Sequence, residues 1–282
     1  MYNAVFISDS GLQYNFGVSG STVFDMDVGD GIPVNIGVAQ GFSQVGQTVE
    51  SLSVSGRNIN ITGVIYAGIQ ERKNAMRKVF APFVSGRLIF ENKYYTNVYV
   101  KNPPSFSPVK NNGRFSMRLF APYPYFFSVA EEGSEIGTIT PKFMFPVNYG
   151  VPHWFGVRSG QKYSNIVNSG DVEIPFSVNI TAFATSQNPV ITNMETGEYL
   201  KINGIMNPGE TIKIYRDKTN VLRAEMSSGD SVQDVISLID EGSNLFSLRV
   251  GDNIISANDD GGGNGLSVRF SYNLAVGALY ET

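Results

Sequence analysis

Strict alternation in two separated stretches constrains this chain more than any other feature of its sequence. Around residues 58–65, Ile59, Ile61 and Ile65 interleave with Asn58, Asn60 and Thr62, so a pleated strand here has one apolar and one wet face. Residues 114–119 repeat the pattern, with Phe115, Met117 and Leu119 opposed to Arg114, Ser116 and Arg118. One stretch nearby has helical spacing instead: Ile69, Met76, Val79, Phe80 and Phe83 share a stripe, with Arg72, Lys73, Arg77 and Lys78 outside it. Pro82 helps to end that helix. A hairpin over 51–68, the helix, a second hairpin over 87–100 and a closing strand over 114–127 make a sheet with one helix laid on it. This is a structural module, and no chemistry is evident in it.

The N-terminal residues add short strands at 4–8, 12–16 and 22–28, separated by glycine turns. Asp25, Asp27 and Asp30 have the spacing of calcium-loop oxygens, but no Glu follows at the required distance, so a solvated strand edge is expected and no metal site. Residues 29–47 are unusual. Gly29, Gly31, Gly37, Gly41 and Gly46 accompany the apolar Ile36, Val38, Phe42 and Val45, with almost no charge after Asp30. A solvated loop is normally more polar and a core strand poorer in glycine. A long hairpin arm over 30–48, covered by another copy of the chain, reconciles the two; an ordinary intramolecular hairpin is the alternative.

Residues 128–151 mark a boundary. An acidic, small-residue stretch (SVAEEGSEIG) follows the Tyr/Pro/Phe cluster at 122–127 and leads into aromatics mixed with prolines and glycines. The expected domains are residues 1–129, a junction over 130–150, and residues 151–282. The halves differ in charge: residues 1–129 carry 11 basic and 7 acidic side chains (net +4), residues 130–282 carry 10 and 18 (net −8). That difference reflects either two unlike surfaces or neighbours of unlike charge in an assembly, and it is too small to argue for nucleic-acid binding.

Beyond the boundary, Val172, Ile174, Phe176, Val178 and Ile180 alternate with Asp171, Glu173, Pro175, Ser177 and Asn179, the pattern of a sandwich strand, with Pro175 suggesting an edge or a bulge. Short strands are expected at 190–193, 199–202, 211–215, 221–226, 245–250 and 266–276. One insert departs from this: Val232, Val235, Ile236 and Ile239 have helical spacing behind Asp230 as an N-cap, predicting a short helix.

The order of motifs across these blocks resembles the distal tail protein (Dit) family of long-tailed bacteriophages. In the first half the matching residues are Arg57, Ile59, Ile61, Gly63 and Ile65, then Arg72, Arg77 and Phe80, then Ala121, Pro122, Tyr123, Pro124, Tyr125 and Phe126. In the second they are Pro189, Ile191, Asn193, Thr196, Gly197 and Leu200; Pro208, Gly209 and Glu210; Phe246 and Leu248; Gly251, Asn253 and Ile255; and Phe270 and Tyr272. The stretch 217–245 looks longer than is usual in the family, and no further domain is inserted.

The resemblance implies a mainly β protein: an N-terminal β-sandwich with one packed α-helix, of tail-tube type, and a C-terminal galectin-like β-sandwich. It implies a structural protein of the virion tail tip, made in the host cytoplasm. Six copies would close a ring through the arm, with Ile36, Val38, Phe42 and Val45 at the contact. The ring would join the tail tube to the baseplate, let DNA pass without specific binding, and meet the major tail protein, the tail-tip hub or tail-associated lysin, and receptor-binding or side-fibre proteins.

Other chemistry is weakly supported. Residues 258–265 (NDDGGGNG) lack the Lys and Ser/Thr of a phosphate loop and read as a turn between strands. His153 and Trp154 are each the sole residue of their kind, without the partners a catalytic site needs. No Gly-x-Ser-x-Gly elbow is present, so no enzyme activity and no cofactor are expected. With no cysteine, disulfides and thiolate metal sites are excluded. No apolar run approaches the ~20 residues of a membrane span, and the first residues lack the basic region of a cleaved signal, so a soluble protein without membrane contact is expected. The alternative function is a carbohydrate-binding β-sandwich recognising cell-surface glycans through Trp154.

Overall fold

A computed structural model describes residues 3–16, 22–29, 31–109, 112–137, 139–141, 156–158, 162–217, 221–261 and 265–279. The chain forms two compact units, Met1–Ala130 together with Ala275–Thr282, and Glu131–Leu274. Both are β-rich, as expected, and among the described residues no helix is long and apolar enough to cross a membrane.

The first unit opens with β1 (Ala4–Ser8), β2 (Gln13–Phe16), β3 (Thr22–Asp27), β4 (Val34–Ala39), β5 (Thr48–Val54) and β6 (Arg57–Ile65). The helix α1 (Ile69–Val79) follows, then β7 (Ser85–Phe90), β8 (Tyr94–Phe106), β9 (Arg114–Ala121) and β10 (Phe126–Ser128). The main path of its sheet runs β2-β1-β7-β8-β9-β6-β3. The two alternating stretches become neighbours, with Ile59 opposite Leu119 and Ile61 opposite Met117. Their apolar sides are buried and Arg114, Ser116 and Arg118 are exposed, which is what a period of two dictates. Phe80, just past α1, is fully buried, with its ring 4.7 Å from Phe6, 5.7 Å from Tyr14 and 5.8 Å from Phe16. Helix, β1 and β2 therefore share one aromatic core.

Three expectations about this unit are corrected. Residues 51–54 do not form a hairpin with 57–65: β5 pairs with β4, while β6 pairs with β3 and β9. Lys73 is buried, not outside the helix stripe, with its ammonium 5.4 Å from the centre of the Phe106 ring. Its methylenes can lie in the core because the charge finds an aromatic face. Phe83 leaves the stripe, since the helix ends at Val79 and Phe83 stands 94% exposed in the following turn.

The second unit contains β11 (Glu132–Ile136), β12 (Ile139–Pro141), β13 (Gly156–Arg158), β14 (Tyr163–Asn168), β15 (Phe176–Ala182), β16 (Ser186–Gln187) and β17 (Val190–Asn193). It continues with β18 (Tyr199–Lys201), β19 (Ile205–Met206), β20 (Thr211–Arg216), β21 (Leu222–Ser228), β22 (Ser231–Asp234), β23 (Gly251–Asn258) and β24 (Leu266–Tyr272). A six-stranded sheet (β11-β24-β15-β20-β21-β22) and a four-stranded sheet (β14-β23-β17-β18) supply the core. Phe176, Val178, Ile180, Ile214 and Phe270 are buried from the first, and Ile166, Ile191, Leu200 and Ile255 from the second.

Here too the structure departs from the sequence reading. Residues 132–136, placed in the junction, form β11 against β24. Pro175 marks no edge: β15 begins one residue later and lies between β24 and β20, so the missing N–H falls outside the ladder. The helix expected near 230–239 is a strand and a short turn. β22 pairs with β21, and only Ile236–Leu238 is helical, as one 3-10 turn. Gly229, with φ 59°, turns the chain tightly between them, and Ile239 bridges to Ile202, so cross-strand partners override the helical spacing. Residues 245–250 contribute only the bridge from Leu248 to Ile174. The last expected strand divides: β24 ends at Tyr272, and β25 (Ala275–Val276) returns to the first unit to pair with β10.

Candidate functional site

The feature that the cores do not absorb is the ribbon of β4 and β5, which pair only with each other among the described residues. Its register sets Val34 opposite Val54, Ile36 opposite Leu52, and Gly37 opposite Ser51. A bulge then skips Glu50, so that Val49 faces Val38. Were the register to run on without the bulge, Glu50 would stand opposite Val38. The bulge thus keeps Val34, Ile36, Val38, Val49, Leu52 and Val54 on one side of the ribbon. The other side carries Asn35, Gly37, Ser51 and Ser53. A Cβ on Gly37 would meet only the Ser51 hydroxyl, which can rotate away.

All six apolar side chains are exposed, and at the tip Phe42 and Val45 are fully so, at 105% and 101%. The tip is nevertheless ordered by two side chains, those of Gln40 and Gln44. Gln44 accepts the Gly41 N–H at its Oε1 (2.9 Å), donates from Nε2 to Thr48 Oγ1 (3.0 Å), and through its carbonyl accepts the Gln40 amide (3.1 Å). Ser43 and Gly46 take positive φ, which turns the chain and leaves Phe42 and Val45 pointing outward. At the root, the Ser55 N–H donates to the Pro33 carbonyl (3.0 Å) and closes the ribbon.

Ile36 and Val38 therefore share one face, and Phe42 and Val45 stand on the tip. The sequence reading missed Val34, Val49, Leu52 and Val54. Residues 51–54 had been assigned to a core hairpin, and the bulge interrupts the alternation that would have revealed their common face. Trp154 and His153 lie outside the described residues, as does Asp30. Asp27 is engaged locally, its carboxylate accepting from the Gly29 N–H (2.9 Å) and the Asn60 amide (3.3 Å). Asp259 and Asp260 of the glycine-rich turn accept from Ser186 Oγ and Asn188 Nδ2, each at 2.7 Å, and so tie that turn to its neighbours.

Two β units, one of them bearing an uncovered apolar ribbon, define a mainly β protein with an exposed two-stranded arm. The comparisons with known proteins make that more particular. Residues 169–273 match the family model described as siphovirus-type tail component, C-terminal domain. Over 98% of this chain and 99% of the other, the structure is similar to the crystal structure of the Dit protein (gp 19.1) of phage SPP1, a hub adsorption apparatus protein of Gram-positive infecting phages, with a TM-score of 0.71 at 8% identity. A chain of the phage P2 baseplate in its activated conformation with calcium is similar over 97% of both chains, with a TM-score of 0.52 at 13% identity. At these identities the structural likeness is one of fold. Comparison with curated protein sequences finds no match. The resemblance to distal tail proteins thus holds in sequence for most of the second unit and in fold for the whole chain, and the proteins concerned are components of phage tails and their baseplates. Nothing in the comparisons favours glycan binding.

Proposed function

We propose that this chain is a distal tail component of a siphovirus-type phage, and that its copies close a ring by laying the β4–β5 ribbon on the adjacent subunit. The observation that carries this is the one-sided ribbon, whose six apolar side chains are uncovered in the single chain. An isolated two-stranded ribbon is marginal in water, and an exposed patch of this kind marks an interaction surface. A head-to-tail contact between two different patches generates a closed ring when the rotation between subunits closes. The fold likeness to a hub protein of the adsorption apparatus supports a place in the tail, and six copies is the number that the family resemblance implies.

In this reading the protein is structural, not enzymatic. The ring joins the tail tube, built of the major tail protein, to the tip hub or tail-associated lysin, DNA passes through its opening, and the second units dock receptor-binding or side-fibre proteins. Light scattering and negative-stain microscopy of the purified chain test the core of the proposal. A six-fold ring is expected, and deletion of residues 36–45 should leave a folded monomer. A ring that survives the deletion, or a wild-type chain that stays monomeric at every concentration, overturns it.

A further inference from the structure

Arg57 opens β6, yet its side chain is 4% exposed and is turned into the first unit. Its Nη1 donates to the carbonyls of Val28 (2.9 Å) and Gly29 (2.8 Å). Its Nη2 donates to the carbonyls of Gly31 (2.7 Å) and Gly277 (2.6 Å). The face of the guanidinium lies 4.8 Å from the centre of the Phe126 ring. Three of these acceptors belong to the segment leading from β3 into the ribbon, and the fourth follows β25. Phe126 belongs to β10, which pairs with β25 through Phe126–Val276 and Phe127–Ala275. The contact is close on its far side as well, since a Cβ placed on Gly277 would come 3.0 Å from the Ile32 side chain.

The chain leaves the first unit through β10 and re-enters it through β25, with all of Glu131–Leu274 between them in sequence. The two strands are therefore a paired stalk for the inserted unit. We infer that Arg57 is a positioning residue that ties this stalk to the root of the ribbon, so that neither moves independently of the other. The planar fork of arginine suits the task, because its several donors diverge in fixed directions toward separate carbonyls, while the ammonium of lysine is a point charge on a flexible stem. Bonds from a charged donor are stronger than neutral ones, and removing the donor leaves the Gly277 carbonyl, whose bond to Arg57 is buried, without it. β10 is also held to β8 in the main sheet, so Arg57 adds to that backbone path a direct side-chain link from Phe126 and Gly277 to the ribbon root. This coupling goes beyond the proposed ring and holds whether or not the ribbon closes one.

Amide hydrogen exchange on the full-length chain tests it, comparing wild type with Arg57→Met and Arg57→Lys. In Arg57→Met, the Ser55 amide at the ribbon root and the amides of 126–128 and 275–276 in the stalk should both exchange about tenfold faster. Those of Ala4–Ser8 in β1 should be unchanged. Arg57→Lys, which keeps the charge but loses the fork, should accelerate both segments in the same proportion and carries the test should the methionine variant not fold. Unchanged exchange in both segments, or acceleration in one alone, overturns the coupling.

Discussion

At Phe83 the backbone takes φ 66° in a turn closed by the Val84 N–H on the Ala81 carbonyl (3.3 Å), with Pro82 before it. Proline followed by a residue of positive φ is the arrangement that turns of this kind give to glycine. A left-handed conformation costs a side-chain-bearing residue about 1–2 kcal/mol, and this ring recovers none of it by burial. Phe83→Gly removes that strain but adds about 0.5–1 kcal/mol of unfolded-state entropy. The net expectation is a gain of about 0.5 kcal/mol in urea denaturation, with Phe83→Ala, which keeps the strain, close to wild type. A second residue carries a pH dependence. The Asp240 carboxylate is held below its ordinary value of 3.8, first by the Asn203 amide and then by the Tyr199 hydroxyl, which donate to it at 3.1 Å each. A depressed carboxylate contributes stability that is present above its unfolded value and is lost as pH falls through the folded one. Asp240→Ala should therefore have a lower urea midpoint than wild type at pH 7 and at pH 5, and the gap should shrink as the pH drops below 3.8. A gap that persists unchanged under acid would show that the loss is not electrostatic.

At the scale of elements, what was legible followed period and what was not followed pairing. The apolar faces of β6 and β9 and the core side of α1 came from alternation and helical spacing, which are local. Which strand lies beside which is not local. The hairpin expected over 51–68 joins β5 to β6, whereas β5 pairs with β4, and the arm expected over 30–48 therefore stops short of the ribbon's second strand. Val232, Val235, Ile236 and Ile239 satisfied a helical template by accident of spacing, yet only Val232 lies in β22, where the hairpin to β21 prevailed. The acidic stretch at 132–136 looked like a linker because an edge strand needs little apolar surface of its own. The ribbon's bulge was the least legible feature of all, since it breaks the very period that sequence reading relies on. It also makes the sharpest prediction. Deleting Glu50 removes the extra residue and leaves Val49 opposite Val38 in regular register, so the apolar face survives. Deleting Val49 brings Glu50 to that position and sets a carboxylate in the middle of the face. If the ribbon closes the ring, light scattering should find the Glu50 deletion assembled and the Val49 deletion monomeric. Equal behaviour of the two would separate assembly from the face that the bulge preserves.

On the scale of the whole molecule, the second unit is an insertion, and both of its ends are paired. Glu132 at its start lies opposite Tyr272 near its end, in the β11–β24 ladder. On the other side of the junctions, Phe127 lies opposite Ala275 in the β10–β25 pair. Each unit therefore has its cut ends side by side on adjacent strands, the circumstance in which a domain can be removed without opening either core. Each also buries its own apolar set, with Phe80 and its aromatic neighbours in one, and Phe176, Phe246 and Phe270 in contact in the other. Residues 131–274 expressed alone should fold, giving a single cooperative thermal transition and dispersed amide resonances. The remainder, with Ala130 joined to Ala275 through a short Gly/Asn turn, should fold as well, since the turn closes an antiparallel pair that already exists. The joined first unit retains the ribbon and Arg57, so on the proposed reading it should assemble into the same ring, smaller by the six inserted units. A folded first unit that no longer assembles would assign part of the ring contact to the second unit. A first unit that fails to fold at all would mean that the β10–β25 pair needs the insertion to hold it, which the hydrogen bond from Arg57 to Gly277 argues against.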